Sequence, residues 1–293
     1  MKIVKLIGGL GNQMFQYALA EKLKYLYPQE TVKLDISLFG SYTLHKLEIF
    51  QVFSLPLNVA TQEEISTVSR CFKNYKIQRL CRKLLPPRKT EIIEPKDDRF
   101  DVRYLEKAGD AYYEGYWQNC RYFDDIREHI LKLYAFPQFG ADETANAETS
   151  EKIRTTNSVG IHVRRGNYLK HKMYSGICDE DYYKRAVEYI STRTGDPDWY
   201  IFSNDMAWCR DYFSTLISED RLHFVDWNKN ESSFRDMHLM SLCKHLILAN
   251  SSFSWWAAYL SQNTTAEQLI LSPARWLNGV QAKEIHCPSW IRI

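Results

Sequence analysis

The stretch Ser158-Val-Gly-Ile-His-Val-Arg-Arg-Gly-Asn-Tyr168 decides how this chain folds. Its apolar run, stopped at a glycine, predicts a strand over Ser158–Val163. Alternation along that strand puts His162 and Arg164 on one face, and Val163 and Arg165 on the other. The pattern then repeats downstream. Tyr182, Ala186, Tyr189 and Ile190 share a helical face, and residues 199–203 form the next strand, ending in Asn204 and Asp205. A helix running to Ile217 leads to a third strand, Leu222–Val225. Ser232 or Ser233 is suited to cap the following helix, whose inner face is Leu239, Leu242, Cys243 and Leu246. Residues 245–249 are the fourth strand, and Asn250-Ser251-Ser252 opens a helix with Phe253, Trp256, Ala257 and Leu260 on one face. Strands alternating with helices imply a parallel, doubly wound sheet, which binds ligands at the carboxyl ends of its strands. The polar clusters at 162–165, 203–205, 226–228 and 250–252 fall at those ends.

Upstream of this half, residues 138–158 are polar, small and poor in aromatics, as in a linker or boundary helix. A chain of 293 residues is long enough for two domains. The expected division is therefore 1–150 and 151–293. The first domain opens with an apolar strand at 2–7, then Gly8-Gly9-Leu10-Gly11-Asn12-Gln13, then a helix with the stripe Phe15, Leu19, Leu23 and Leu26. Residues 32–36 read as its second strand. Residues 37–135 mix short helical pieces with aromatic stretches.

A net charge of +2 gives no signal for nucleic acid or another polyanion, so any phosphate site must be local. The basic pairs Arg82-Lys83 and Arg88-Lys89 flank Pro86 and Pro87 and read as a solvated face. Peripheral contact with the inner face of a membrane is the weaker reading of them. No run approaches the roughly 18 apolar residues of a membrane helix, and the N-terminus reads as a strand rather than a secretory signal. The seven cysteines include no C-x-x-C pair and read as reduced thiols of a cytoplasmic protein. The N-x-S/T matches at Asn230, Asn250 and Asn263 then read as chance.

Three segments carry the chemistry. An arginine at a strand end beside a glycine turn, as at Arg164, can fork onto a phosphate, or else bridge to a carboxylate. The strand-to-helix junction at 250–252 offers free backbone N–H groups and serine hydroxyls, which bind anions or simply cap the helix. Together the two suggest a diphosphate. The turn of Gly9, Gly11, Asn12 and Gln13 matches neither G-x-G-x-x-G nor a Walker motif. It lets backbone approach a ligand closely, with Asn12 and Gln13 able to bond hydroxyls. Two D-x-D matches, Asp179/Asp181 and Asp196/Asp198, read as structural: the first introduces a helix, and the second sits before a strand, at the wrong end for the site.

The motifs from Gly8 to Ala18, His162 to Tyr168, Phe202 to Asp205, and Asp236-Met through Ala249 to Trp256 together resemble the bacterial α-1,2-fucosyltransferase family, glycosyltransferase family 11. The resemblance implies a GT-B-like α/β fold, with two Rossmann-like domains facing across a cleft. It implies transfer of L-fucose from GDP-fucose, a co-substrate, to the 2-hydroxyl of a terminal galactose, with inversion and with neither metal nor cofactor. The second domain would hold the donor and the first the acceptor. Arg164 would contact the diphosphate and act in catalysis, supported by Arg165. His162 and Asp236 would help bind guanosine, with Asp236 accepting from guanine N1 and N2. Ser251 and Ser252 would bind phosphate oxygens, with Asn204 and Phe253 completing the donor site. Many members carry Asp where this chain has Asn167, which fits a loop-positioning role for that residue. His171, Asp179, Glu180 and Asp181 are the candidates for the base, and spacing does not choose among them. The alternatives are a fucosyltransferase of another linkage or a non-catalytic glycan-binding protein on the same fold.

Overall fold

A computed structural model describes the chain except residues 41–44, 71–74, 96–98, 263–266 and 280–283, with the backbone alone at 75, 76, 78 and 79. Cys71 and the Asn263 match lie outside the described residues. The chain forms two compact units, Met1–Ala135 and Phe136–Ile293, so the division falls before residue 136 rather than at 150.

The first unit contains β1 (Lys2–Lys5), α1 (Leu10–Leu26), β2 (Val32–Asp35), α2 (Ile49–Val52), α3 (Gln62–Val68), α4 (Tyr75–Leu84), β3 (Glu91–Ile93), β4 (Ala111–Glu114) and α5 (Arg127–Leu133). Its four strands run parallel in the order β2-β1-β4-β3. The expected apolar stripe understates the burial of α1: every residue from Leu10 to Leu23 is buried except Asn12, while Leu26 is exposed. A helix covered all round must pair its buried charges. Lys22 accordingly meets Asp125, and Glu21 meets both Lys24 and His129.

The second unit contains α6 (Thr144–Thr155), β5 (Ser158–Val163), α7 (Asn167–Lys170), α8 (Glu180–Thr194), β6 (Asp198–Ser203), α9 (Met206–Phe213), β7 (Leu222–Val225), α10 (Phe234–Leu242), β8 (His245–Ile247), α11 (Ser252–Tyr259), β9 (Ile270–Ser272) and β10 (Ile291–Arg292). Six parallel strands lie in the order β10-β9-β8-β5-β6-β7. Both faces of the central β5 are covered, which is why it reads as an almost unbroken apolar run. Val159, Ile161 and Val163 pack with Tyr182, Tyr183, Ala186 and Ile190 of α8 and with Phe213 of α9. At Gly160 a Cβ would come within 2.9 Å of Leu246 Cδ2 and 3.1 Å of Cys243 Sγ, so only glycine allows this close approach.

Some expected boundaries shift. Helix α9 stops at Phe213 and α10 at Leu242, so Cys243 and Leu246 belong to the turn and to β8 rather than to a helical face. Ser233 stands at the start of α10 in helical geometry without a side-chain cap, and the Ser232 hydroxyl bonds back to Lys229 instead. The strands β9 and β10 are additions to the sequence reading. Of the two readings of residues 138–158, linker or boundary helix, the helix is found at Thr144–Thr155. This helix, α6, packs on α10.

Candidate functional site

The carboxyl end of β5 supplies the first two groups. His162 is buried, and its Nδ1 has no hydrogen-bond partner among the described residues. Burial, aided by the nearby positive Arg164, lowers its pKa to about 3. The ring is therefore a neutral imidazole with one N–H and one lone pair to offer. It leans on Phe253 at a centroid distance of 5.5 Å. The Tyr183 hydroxyl donates to the His162 carbonyl at 3.0 Å and pins the strand end.

The two arginines separate as alternation predicts. Arg165 pairs with Asp205 at 3.1 Å and covers the Trp208 ring at 4.1 Å, whereas Arg164 meets no carboxylate among the described residues. Arg164 instead lies 5.4 Å from the centroid of Tyr168. The Arg165 N–H donates to Asn204 Oδ1 at 2.9 Å, and Asn204 Nδ2 returns a bond to the Arg165 carbonyl. Arg165 and Asn204 thus hold the turn that carries Arg164. Gly166 makes this clasp possible. Its φ is +63°, and a Cβ there would fall 2.8 Å from Asn204 Nδ2.

Tyr168 is the residue that sequence reasoning quoted but did not assign. It lies against Arg164 and stacks on Tyr174 at 4.5 Å. Burial pushes its hydroxyl pKa up. Tyr168 thus stands between Arg164 and Tyr174. At the start of α11 Ser251 accepts from the Phe253 N–H at 3.3 Å, as a helix cap should. Asn250 is buried: its amide donates to the Trp276 carbonyl and accepts from the Cys178 thiol. The Ser252 hydroxyl has no partner among the described residues. With the first N–H groups of α11 it forms the anion-seeking end of that helix.

Asp236 stands in the first turn of α10, which packs on α11. Its Oδ1 accepts from Asn228 Nδ2 at 2.9 Å. Asn228 in turn exchanges two amide bonds, both 2.9 Å, with Asn146 of α6. Asn146 Oδ1 also accepts from the Trp227 indole at 2.8 Å. Because an indole N–H can only donate, it fixes the Asn146 amide, which fixes the Asn228 amide, which must donate to Asp236. Burial raises the Asp236 pKa to about 7, with the Asn228 bond opposing the shift. Asn228 falls in the polar cluster that the sequence places at the end of β7, but its pairing with Asn146 could not be found from spacing, since the two are remote in sequence.

The glycine turn of the first unit is built differently from expectation. Gln13 is completely buried and uses its whole amide. It donates to the carbonyls of Gly8 and Lys46 and accepts from the N–H groups of Glu48 and Ile49. It organises the loop and has nothing left for a ligand. Gly11 is buried inside α1, and Gly9 starts the helix in extended geometry beside the His45 ring. Asn12 is half-buried and accepts from Gln118 at 2.7 Å.

Among the acidic candidates, Asp179 caps α8 by accepting from the Tyr182 N–H, and Asp181 pairs with Arg185. Asp196 pairs with Arg221, and Asp198 with Arg221 and His223. Among the described residues no group of three or more His, Cys, Asp or Glu side chains is placed to hold a metal ion. The six described cysteines are all free thiols, and no described helix is long and apolar enough to cross a membrane.

The family model for glycosyl transferase family 11 matches residues 1–293. The chain is 32% identical to an α-1,2-colitosyltransferase of Escherichia coli, over 99% of this chain and 98% of that protein. It is 26% identical to the human galactoside α-(1,2)-fucosyltransferase 1 over 59% of this chain and 49% of that one. In fold it is similar to the crystal structure of the fucosyltransferase NodZ from Bradyrhizobium, with a TM-score of 0.54 at 14% identity, covering 88% of this chain and 90% of that one.

Proposed function

Since the chain belongs to glycosyl transferase family 11, we propose that it transfers L-fucose from GDP-fucose to the 2-hydroxyl of a terminal galactose, with inversion. The observation that carries this reading is Arg164 at the carboxyl end of β5, a guanidinium with no carboxylate partner among the described residues. The α/β fold with two parallel sheets, of the GT-B class, agrees with it.

In the proposed reaction the acceptor oxygen attacks the anomeric carbon from the side opposite the diphosphate. A C–O bond forms there, and the bond from that carbon to the β-phosphate oxygen breaks. GDP leaves with the electron pair, and the acceptor hydroxyl loses its proton. Negative charge grows on the leaving diphosphate, where Arg164, the Ser252 hydroxyl and the first amides of α11 would meet it. Neutral His162 and the open oxygen of Asp236 would take N–H and O–H groups of the guanosine. Arg165, Asn204 and Gly166 would hold the Arg164 turn in shape.

A donor fixed in advance toward developing charge contributes about 3–4 kcal/mol. Arg164→Ala is therefore expected to lower turnover at least roughly a hundredfold, measured as GDP release with a β-galactoside acceptor. Turnover near the wild-type value would overturn the assignment. Because this protein-borne charge is the proposed stabiliser of GDP, activity is expected to survive EDTA, and its loss would refute that part.

The colitosyltransferase relative supports a second reading of the donor sugar. Parallel assays with GDP-fucose and GDP-colitose on a galactoside panel, with product linkage by NMR, distinguish the two.

A further inference from the structure

Helix α4 is mounted inside out. Its Arg82 points into the unit, bonding Glu114 at 3.0 Å through Nε and Glu91 at 2.8 Å. Glu114 also holds buried Lys5 at 2.8 Å, and the Glu91 carboxylate has its pKa lowered to about 2 by Arg82, Ser69 and backbone N–H bonds, against the opposing effect of burial. An ion pair thus occupies the side where a surface helix normally puts leucines. At roughly 100° per residue, positions 77, 80 and 84 lie within about 40° of the line opposite Arg82. Those positions are Ile77, Leu80 and Leu84, with exposures of 47%, 56% and 70%, and Leu85 follows at 45%. The ionic anchor turns an apolar stripe to solvent.

The charge around that stripe is one-sided. Residues 69–90 hold eight Lys or Arg, seven besides the internal Arg82, and no Asp or Glu, in a chain whose net charge is only +2. A second copy of this segment would be repelled, and a neutral apolar partner would gain nothing from the lysines. An anionic lipid surface satisfies both features: leucines enter the acyl boundary while Lys83 and Lys89 meet headgroups. Helix α4 is too short to span a bilayer, so it would lie in the plane of the interface.

We propose that α4 and the turn after it dock this protein on an anionic membrane surface, through Leu80, Leu84 and Leu85 and the lysines beside them. This replaces the sequence-based reading of the Arg82-Lys83 pair as merely solvated, since Arg82 is internal. The proposal stands independently of the sugar transferred.

The test is co-sedimentation of the full chain with phosphatidylglycerol–phosphatidylcholine vesicles and with pure phosphatidylcholine vesicles. The wild type is expected to pellet with the mixed vesicles only, and to be released by salt. Leu80→Glu/Leu84→Glu is expected to weaken binding at least roughly tenfold, and Lys83→Gln and Lys89→Gln about fivefold each. GDP binding should be unchanged in all three, which also reports that they are folded. Equal binding to neutral vesicles, no binding to either, or wild-type binding by the leucine variant would each overturn the proposal. So would self-association that the same leucine substitutions abolish.

Discussion

One proton of the Asn228 amide reaches Asp236 Oδ1, and the other holds Asn146. That arrangement gives Asp236 a testable pH signature. Its folded pKa, about 7, stands above the ordinary 3.8 because burial disfavours its charge. The folded protein therefore holds this proton more tightly than the unfolded chain does. The resulting stabilisation is present in full below about pH 4 and is lost as the pH rises through about 7. Asp236→Asn should accordingly raise the melting temperature at pH 8, by on the order of 5 °C, and change it little at pH 4. Differential scanning calorimetry at the two pH values checks this, and an equal shift at both would contradict it. Guanine would need the ionised carboxylate, so GDP affinity should fall about tenfold per unit below pH 7. Asn228→Ala, which removes the one bond that lowers this pKa, should move that profile upward. At this scale the sequence was informative about Arg164 and His162, because strand alternation sorts them from Arg165. It placed Asn228 in a polar cluster at a strand end without a role and was silent on the roles of Tyr168 and Asn146, which come from contacts between distant segments.

Among elements, β5, β6, β7 and α11 were legible because each has a clear period and a polar or glycine stop. Helix α4 was not, because its anchor is an arginine and its leucines face outward, the reverse of the usual apolar stripe. The turn before α1 was legible as a turn, but not what its most polar-looking residue does there. Gln13 resembles a ligand contact in sequence and is a buried brace in the fold, since loop 46–49 needs partners for two N–H groups and one carbonyl. Gln13→Ala strands those groups, each at a cost of about 1–3 kcal/mol when left unpaired and buried. A loss of at least about 3 kcal/mol is expected in urea unfolding. If Gln13 touched substrate instead, the substitution would raise KM and leave stability nearly intact. The two outcomes separate a brace from a binding group.

For the whole molecule, the place where the chain divides can be argued from what the second unit needs. Arg235, nearly buried on α10, forks onto Glu143 at 2.6 and 2.5 Å and also donates to the carbonyls of Pro137 and Gln138. Phe136 and Phe139 stack on either side of His238, at 4.7 and 4.5 Å. Asn146 orients Asn228 and through it Asp236. Residues 136–146 are thus a structural flap of the second unit, although their composition reads as linker; small polar residues serve here as hydrogen-bond partners, which sequence composition does not distinguish from solvated loop. A fragment Phe136–Ile293 keeps every one of these bonds together with all of the proposed donor groups. It should fold and bind GDP within about tenfold of the full chain by isothermal titration. A fragment of 151–293 removes Glu143 from a buried arginine, a defect that costs about 3–5 kcal/mol for a broken buried pair, and frees the Asp236 amide support. It is expected to be poorly folded and to bind no GDP. Equal binding by both fragments would move the boundary back to residue 150, and failure of both would mean that the donor site needs the first unit.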